Sequence, residues 1–132
     1  MNLIKTNTIE IKKSKFIAYN YTITNQDEVK EILQNLKEEH KKARHIVYAY
    51  KLPNTAGKSD DKEPSGTAGL PLYNILELNN KENTLLVVVR YFGGTKLGAG
   101  PLTRAYKNAG ISVLNVLRNL VGSKNWIKSI KT

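Results

Sequence analysis

The stretch Thr84-Leu85-Leu86-Val87-Val88-Val89-Arg90-Tyr91-Phe92 constrains the fold more than any other part of the chain. Its side chains are apolar at odd and even positions alike, so both faces of an extended strand would be apolar. That pattern belongs to a central strand covered on at least one side. The run is also far short of the roughly 18 apolar residues that a membrane helix needs. With 132 residues and no cysteine, the chain has the size of one domain and builds its core without disulfides or thiolate metal sites. Residues 1–5 lack the apolar run of a signal peptide. We therefore expect a soluble, cytoplasmic protein with no membrane segment.

The flanking sequence supplies the other elements. Residues 8–23 are rich in β-branched and aromatic residues, and Lys13-Ser14 reads either as a hairpin turn or as a bend in one long strand. Asn25 and Glu28 have the spacing of a capping box, and Val29, Ile32, Leu33 and Leu36 follow at helical intervals. His40 falls on the surface of that helix. Residues 45–52 read as a strand, and residues 53–69 as a long polar loop. Pro71 suits the first turn of a second helix bearing Leu72, Ile75 and Leu76. A glycine-rich loop over 93–100 then leads into a helix from about Pro101 to Leu117, with Leu102, Ala105, Ala109, Val113, Val116 and Leu120 as its apolar stripe. The intermixed order points to an α+β two-layer sandwich, a mixed sheet with helices on one face. Residues 1–120 form the expected domain and 121–132 a C-terminal tail with a lone Trp126.

Charge narrows the function. The formal net charge is +10, and every acidic residue lies at or before Glu82. The C-terminal third therefore attracts phosphates or acidic protein surfaces, unless its lysines merely solvate the surface. Two blocks run into helix starts. In the first, Asp60, Asp61 and Glu63 bring three carboxylates together, fit either for Mg²⁺ or for a solvated acidic turn. Ser65, Gly66 and Thr67 follow, either approaching an anion at the helix start or simply capping it. In the second, Arg90, Gly93, Gly94, Lys96, Gly98 and Arg104 surround a strand–turn–helix junction that suits phosphate cradling by backbone amides. The spacing matches no named nucleotide motif. The same glycines would equally let the helix pack tightly on the sheet. Tyr48, Tyr50, Tyr91 and Tyr106 are candidates for stacking on bases, or for ordinary packing.

Taken together, residues 59–69 and 90–100, with Leu102, Arg104, Ala105 and Tyr106, resemble the signature of the Impact/YigZ family. Residues 13–18, 43–45 and 48–50 resemble the blocks that precede it. Lys62 stands where the family usually has glycine, Pro101 replaces another glycine, and Ile46-Val47 replaces a polar–cysteine pair. The resemblance implies a fold similar to the second domain of a small-subunit ribosomal protein. It covers the family's N-terminal domain, and we expect a single-domain form without the C-terminal ferredoxin-like domain of bacterial members. Eukaryotic relatives regulate translation by binding the activator of the starvation-sensing initiation-factor kinase. The resemblance thus implies a binding or regulatory domain that engages RNA or a translation-associated protein through loops 59–71 and 93–104, with no cofactor, no resident metal and no catalytic residue. The alternative is a Mg²⁺-dependent enzyme acting on a phosphorylated small molecule or nucleotide, in which a phosphate-bearing ligand sits between the same loops.

Overall fold

A computed structural model describes residues 2–114 of the chain. β5 (Thr84–Tyr91) runs through the middle of a five-stranded sheet in the order β1 (Asn2–Ile11), β2 (Ser14–Thr22), β5, β3 (His45–Lys51), β4 (Ala56–Ser59). Each residue from Thr84 to Arg90 is buried. The reason lies in the strand's alternation. Leu86 and Val88 face one cluster with α2 (Gly69–Leu78) and α3 (Ala99–Val113), while Leu85, Val87 and Val89 face a second with α1 (Gln26–Glu39). Burying each of these side chains stabilises the fold by roughly 1.5–3 kcal/mol.

The α+β class is as expected, and two details of the architecture differ. Every strand pairing is antiparallel, so the sheet is not mixed. The helices cover both faces, so the sandwich has three layers rather than two. A strand that is apolar at every position requires such double cover. The polar stretch 53–69 also contains β4, which pairs with β3 and closes one edge of the sheet.

The local signals act much as their chemistry dictates. The Asn25 side chain accepts from the Glu28 N–H at 3.0 Å, and Glu28 reaches back to Thr24 instead of Asn25. The segment 8–23 is a hairpin, turned at Lys12-Lys13 with φ of 49° and 68°. Two lysines in the left-handed region carry a cost of roughly 1–2 kcal/mol each. Lys62, with φ of 71°, adopts the same conformation at the position where glycine is usual, which explains that preference. α3 begins two residues before Pro101, whose missing N–H is one that no helix satisfies internally. Val116, Leu120 and the 121–132 tail lie outside the described residues.

His40 is not a surface residue. It caps α1 and lies between two tyrosines, with Tyr19 Oη 2.8 Å from Nε2 and Tyr91 Oη 2.6 Å from Nδ1. The polar contacts tie the end of α1 to the ends of β2 and β5.

Gly93 is fixed by close approach. A Cβ there would lie 2.1 Å from the carbonyl carbon of Lys13 and 2.2 Å from its oxygen, so the glycine loop sits backbone-on-backbone against the hairpin turn. A Cβ on Gly100 would meet only the Arg104 Nη1, at 3.5 Å. We therefore expect Gly93→Ala to destabilise the domain by about 1–3 kcal/mol. Gly100→Ala should be neutral or stabilising by about 0.5–1 kcal/mol, as alanine favours helix. Urea denaturation checks the pair, and equal effects would contradict the close-packing account.

Candidate functional site

The sheet register brings the site together. β3 and β5 pair so that His45 faces Arg90, and β2 places Phe16 on the other side of Arg90. Arg90 shares its face with Leu86 and Val88, at the end of the core beneath α2 and α3. Its guanidinium is buried and needs a countercharge, which the acidic loop supplies. Arg90 Nη1 donates to both oxygens of buried Glu63, at 3.0 and 2.8 Å. The Tyr106 hydroxyl of α3 donates to the same carboxylate. Burial, and then this bond to Glu63, push the Tyr106 hydroxyl far above the usual tyrosine range, so it remains a donor. Tyr106 also meets Phe16 edge-to-face, with ring centroids 5.2 Å apart. It is therefore a core residue and not a base-stacking platform.

His45 closes the network. Its Nδ1 lies 2.7 Å from the Asp61 carbonyl oxygen, which can only accept, so Nδ1 carries the proton. Nε2 then faces Glu63 Oε1 at 3.5 Å. Ser14 of the hairpin joins from below, accepting from the Gly93 N–H at 3.2 Å and from Arg90 Nη2 at 3.4 Å. Arg90 Nε is buried without a partner among the described residues.

The three acidic residues have three separate tasks. Asp60 accepts from the backbone N–H groups of Gly66, Ala68 and Gly69 at 3.0, 3.2 and 2.8 Å. It thereby occupies the anion position at the start of α2, in place of Ser65 or Thr67. Ser65 is exposed, Gly66 is exposed with φ of 80°, and Thr67 is turned inward onto the Pro64 carbonyl. Burial alone would raise the Asp60 pKa. The three amides, with Lys58 nearby, outweigh that and hold it below the usual aspartate range. Asp61 accepts from the Ile46 N–H at 2.6 Å. With Glu63 committed to Arg90, these carboxylates do not converge on a metal, and no group of three metal-binding side chains occurs among the described residues.

Above the network lies a cleft of about 320 Å³ lined by Arg44, His45, Glu63, Pro64, Arg90, Phe92, Lys96, Leu97 and Leu102. The loop over 59–69 forms one wall and the glycine loop the other. Arg44 and Lys96 are exposed on its rim. Arg44 holds its guanidinium 4.7 Å from the Phe92 ring centroid. Gly94, exposed with φ of 93°, carries the loop outward, and Gly98 caps α3 with no side-chain hydrogen bond at that helix start. Arg104 is exposed over Gly100 and does not line the cleft. Of the anticipated residues, Glu63, Arg90 and Lys96 meet there. Arg44, His45 and Phe92 complete the lining, and Tyr106 meets Glu63 beneath it. The strand register, which sets His45 against Arg90, is what brings these residues to one place.

Two consequences are testable by denaturation. Glu63→Ala leaves Arg90 buried without its countercharge, which costs about 3–5 kcal/mol; a loss below about 1 kcal/mol would show the pair to be unimportant. Asp60 has a lowered folded pKa. Its contribution is therefore complete above the unfolded value of about 3.9 and is lost as pH falls through the lower folded value. Asp60→Asn should cost about 1 kcal/mol at neutral pH and flatten the acid limb of the stability curve. An unchanged acid limb would contradict the capping role.

Comparison with known proteins bears on the same residues. The family profile described as the Impact N-terminal domain matches residues 12–114. The chain is 41% identical over 110 residues to the IMPACT family member YvyE of Bacillus subtilis (strain 168), covering 81% of this chain and 51% of that protein. It is 38% identical over 116 residues to the IMPACT family member YigZ of Escherichia coli (strain K12), covering 84% and 55%. It thus spans about half the length of the curated relatives it matches. A crystal structure described as that of a hypothetical protein superposes with a TM-score of 0.79 at 35% identity, covering 82% of this chain and 55% of that one. The structure of the two-domain translational regulator Yih1 shares the fold, with a TM-score of 0.51 at 21% identity over 84% of this chain and 46% of that one. The residues that build the cleft lie within the matched span, and the chain belongs to the Impact family through its N-terminal domain.

Proposed function

We propose that this domain is a translation-linked RNA-binding module that holds the RNA backbone at the cleft between residues 59–71 and 93–104. One observation carries the reading: the acidic loop spends its carboxylates inside the fold, so the charges left on the cleft rim are those of Arg44 and Lys96. The first turn of α3, beside Lys96, adds backbone N–H groups that no side chain caps among the described residues. Phosphates fit such a rim, because a cation and a helix start both favour negative charge. Relatives named IMPACT, and a structural neighbour titled a translational regulator, support the link to translation. The Mg²⁺-dependent alternative loses its footing, since Asp60, Asp61 and Glu63 each have other partners.

The test is fluorescence anisotropy with labelled RNA across a salt series. We expect binding that weakens steeply with salt, and an Arg44→Ala, Lys96→Ala double variant that loses roughly ten-fold or more in affinity with a salt slope shallower by about 1–2. Undetectable binding even at low salt, or a double variant that binds like the parent, would overturn the reading. Retention of ribosomal or initiation proteins by the immobilised domain would then point to a protein ligand.

A further inference from the structure

Phe92 is the wall between two hollows. On one side is the cleft already described. On the other is a second hollow of about 380 Å³, lined by Lys13, Lys15, Ile17, Tyr91 and Phe92. The two share Phe92 in their linings, and beside it the backbone of Gly93 rests directly on that of Lys13. A surface path from Lys13 and Lys15 to Lys96 therefore crosses the partly exposed Phe92 ring.

Cations flank this path. Lys12, Lys13 and Lys15 are exposed at the hairpin turn, and Glu10 stands opposite Lys15 in the strand register. Lys41 and Lys42 are exposed in the short turn between His40 and Arg44. That turn is pinned at both ends, by His40 on Tyr91 and by Arg44 on Phe92. The backbone of the turn is thereby held near the end of β5, while Lys41 lines a hollow along α1 with Lys37 and Glu38. Tyr91 and Phe92 are each only partly buried, although they close an otherwise fully buried strand. The hydrogen bond between Tyr91 and His40 holds the tyrosine ring in place, and Arg44 stacks over Phe92.

From this juxtaposition we infer that the domain takes a single-stranded RNA segment rather than a duplex, its phosphates following the lysines while one unpaired base stacks at the Phe92–Arg44 pair. The inference rests on the RNA-binding reading and adds strandedness and a path to it. Aromatic rings and guanidinium planes accept any base face, but only when that base is free of a partner strand. A duplex would present phosphates alone to the rim and leave both rings unused.

The experiment compares three ligands of equal length, about a dozen nucleotides: single-stranded RNA, the same length as duplex, and a single strand with abasic sites in place of its central bases. Anisotropy titrations use the full chain, its Phe92→Ala and Phe92→Trp variants, and the Lys13→Ala, Lys15→Ala double variant. We expect the single strand to bind roughly ten-fold tighter than either the duplex or the abasic strand. Phe92→Ala should remove that preference, Phe92→Trp should keep it, and the lysine pair should weaken the single strand more than the duplex. The abasic ligand perturbs no protein residue, so a variant that folds poorly does not cloud the result. Equal affinity for the intact and abasic strands, or a preference for duplex, overturns the stacking groove. If such ligands bind equally and still depend on Arg44 and Lys96, the RNA reading survives without it. If no RNA binds, both fall.

Discussion

The buried pair of Glu63 and Arg90 is the interaction on which the rest of this structure depends. An arginine at the end of a fully apolar strand is expensive unless its charge is met inside the fold. Meeting it requires the acidic loop to turn inward, and that loop can do so only because Asp60 and Asp61 are anchored on the α2 amides and on β3. Tyr106 then draws α3 to the same carboxylate, His45 brings β3, and Ser14 brings the hairpin. One ion pair thus gathers contacts from distant parts of the chain to one end of the sheet. The cleft exists because these groups stop there.

This arrangement reverses the meaning of the acidic block. As letters, Asp60-Asp61-Lys62-Glu63 offers a metal site or a solvated turn. In the fold each carboxylate accepts from a different partner, and the left-handed turn at Asp61 and Lys62 aims them apart. The same logic places an internal anion at the start of α2, while among the described residues the start of α3 has no such cap. The two glycine-containing loops, which look alike in sequence, therefore differ in what they can still bind. The first is satisfied from within, whereas the second keeps its first-turn donors beside Lys96.

Much of the fold was legible from local chemistry. The apolar run of β5 marked a central strand, Asn25 marked the start of α1, and the stripe of α3 was sound as far as Val113. What local chemistry could not show was which elements meet. A strand apolar at every position demands cover on both faces, yet the sequence does not say which helix lies on which side, so α1 was expected on the wrong one. The short β4 hid in a polar stretch because an edge strand needs few apolar residues. His40 read as exposed because its partners, Tyr19 and Tyr91, are remote in the chain. The site followed the same rule. Glu63, Arg90 and Lys96 were visible as charges beside loops. Arg44, His45 and Phe92 became part of the cleft only through strand register.

On the proposed function, RNA meets the domain at the end of β5, between the acidic loop and the glycine loop. Backbone amide shifts recorded by NMR during titration with a short single-stranded RNA test it most directly. The largest changes should cluster at Arg44, His45 and residues 92–97, while the solvent face of α1 around Lys30 and Gln34 stays unmoved. Changes concentrated on α1, or no changes at saturating RNA, would contradict it.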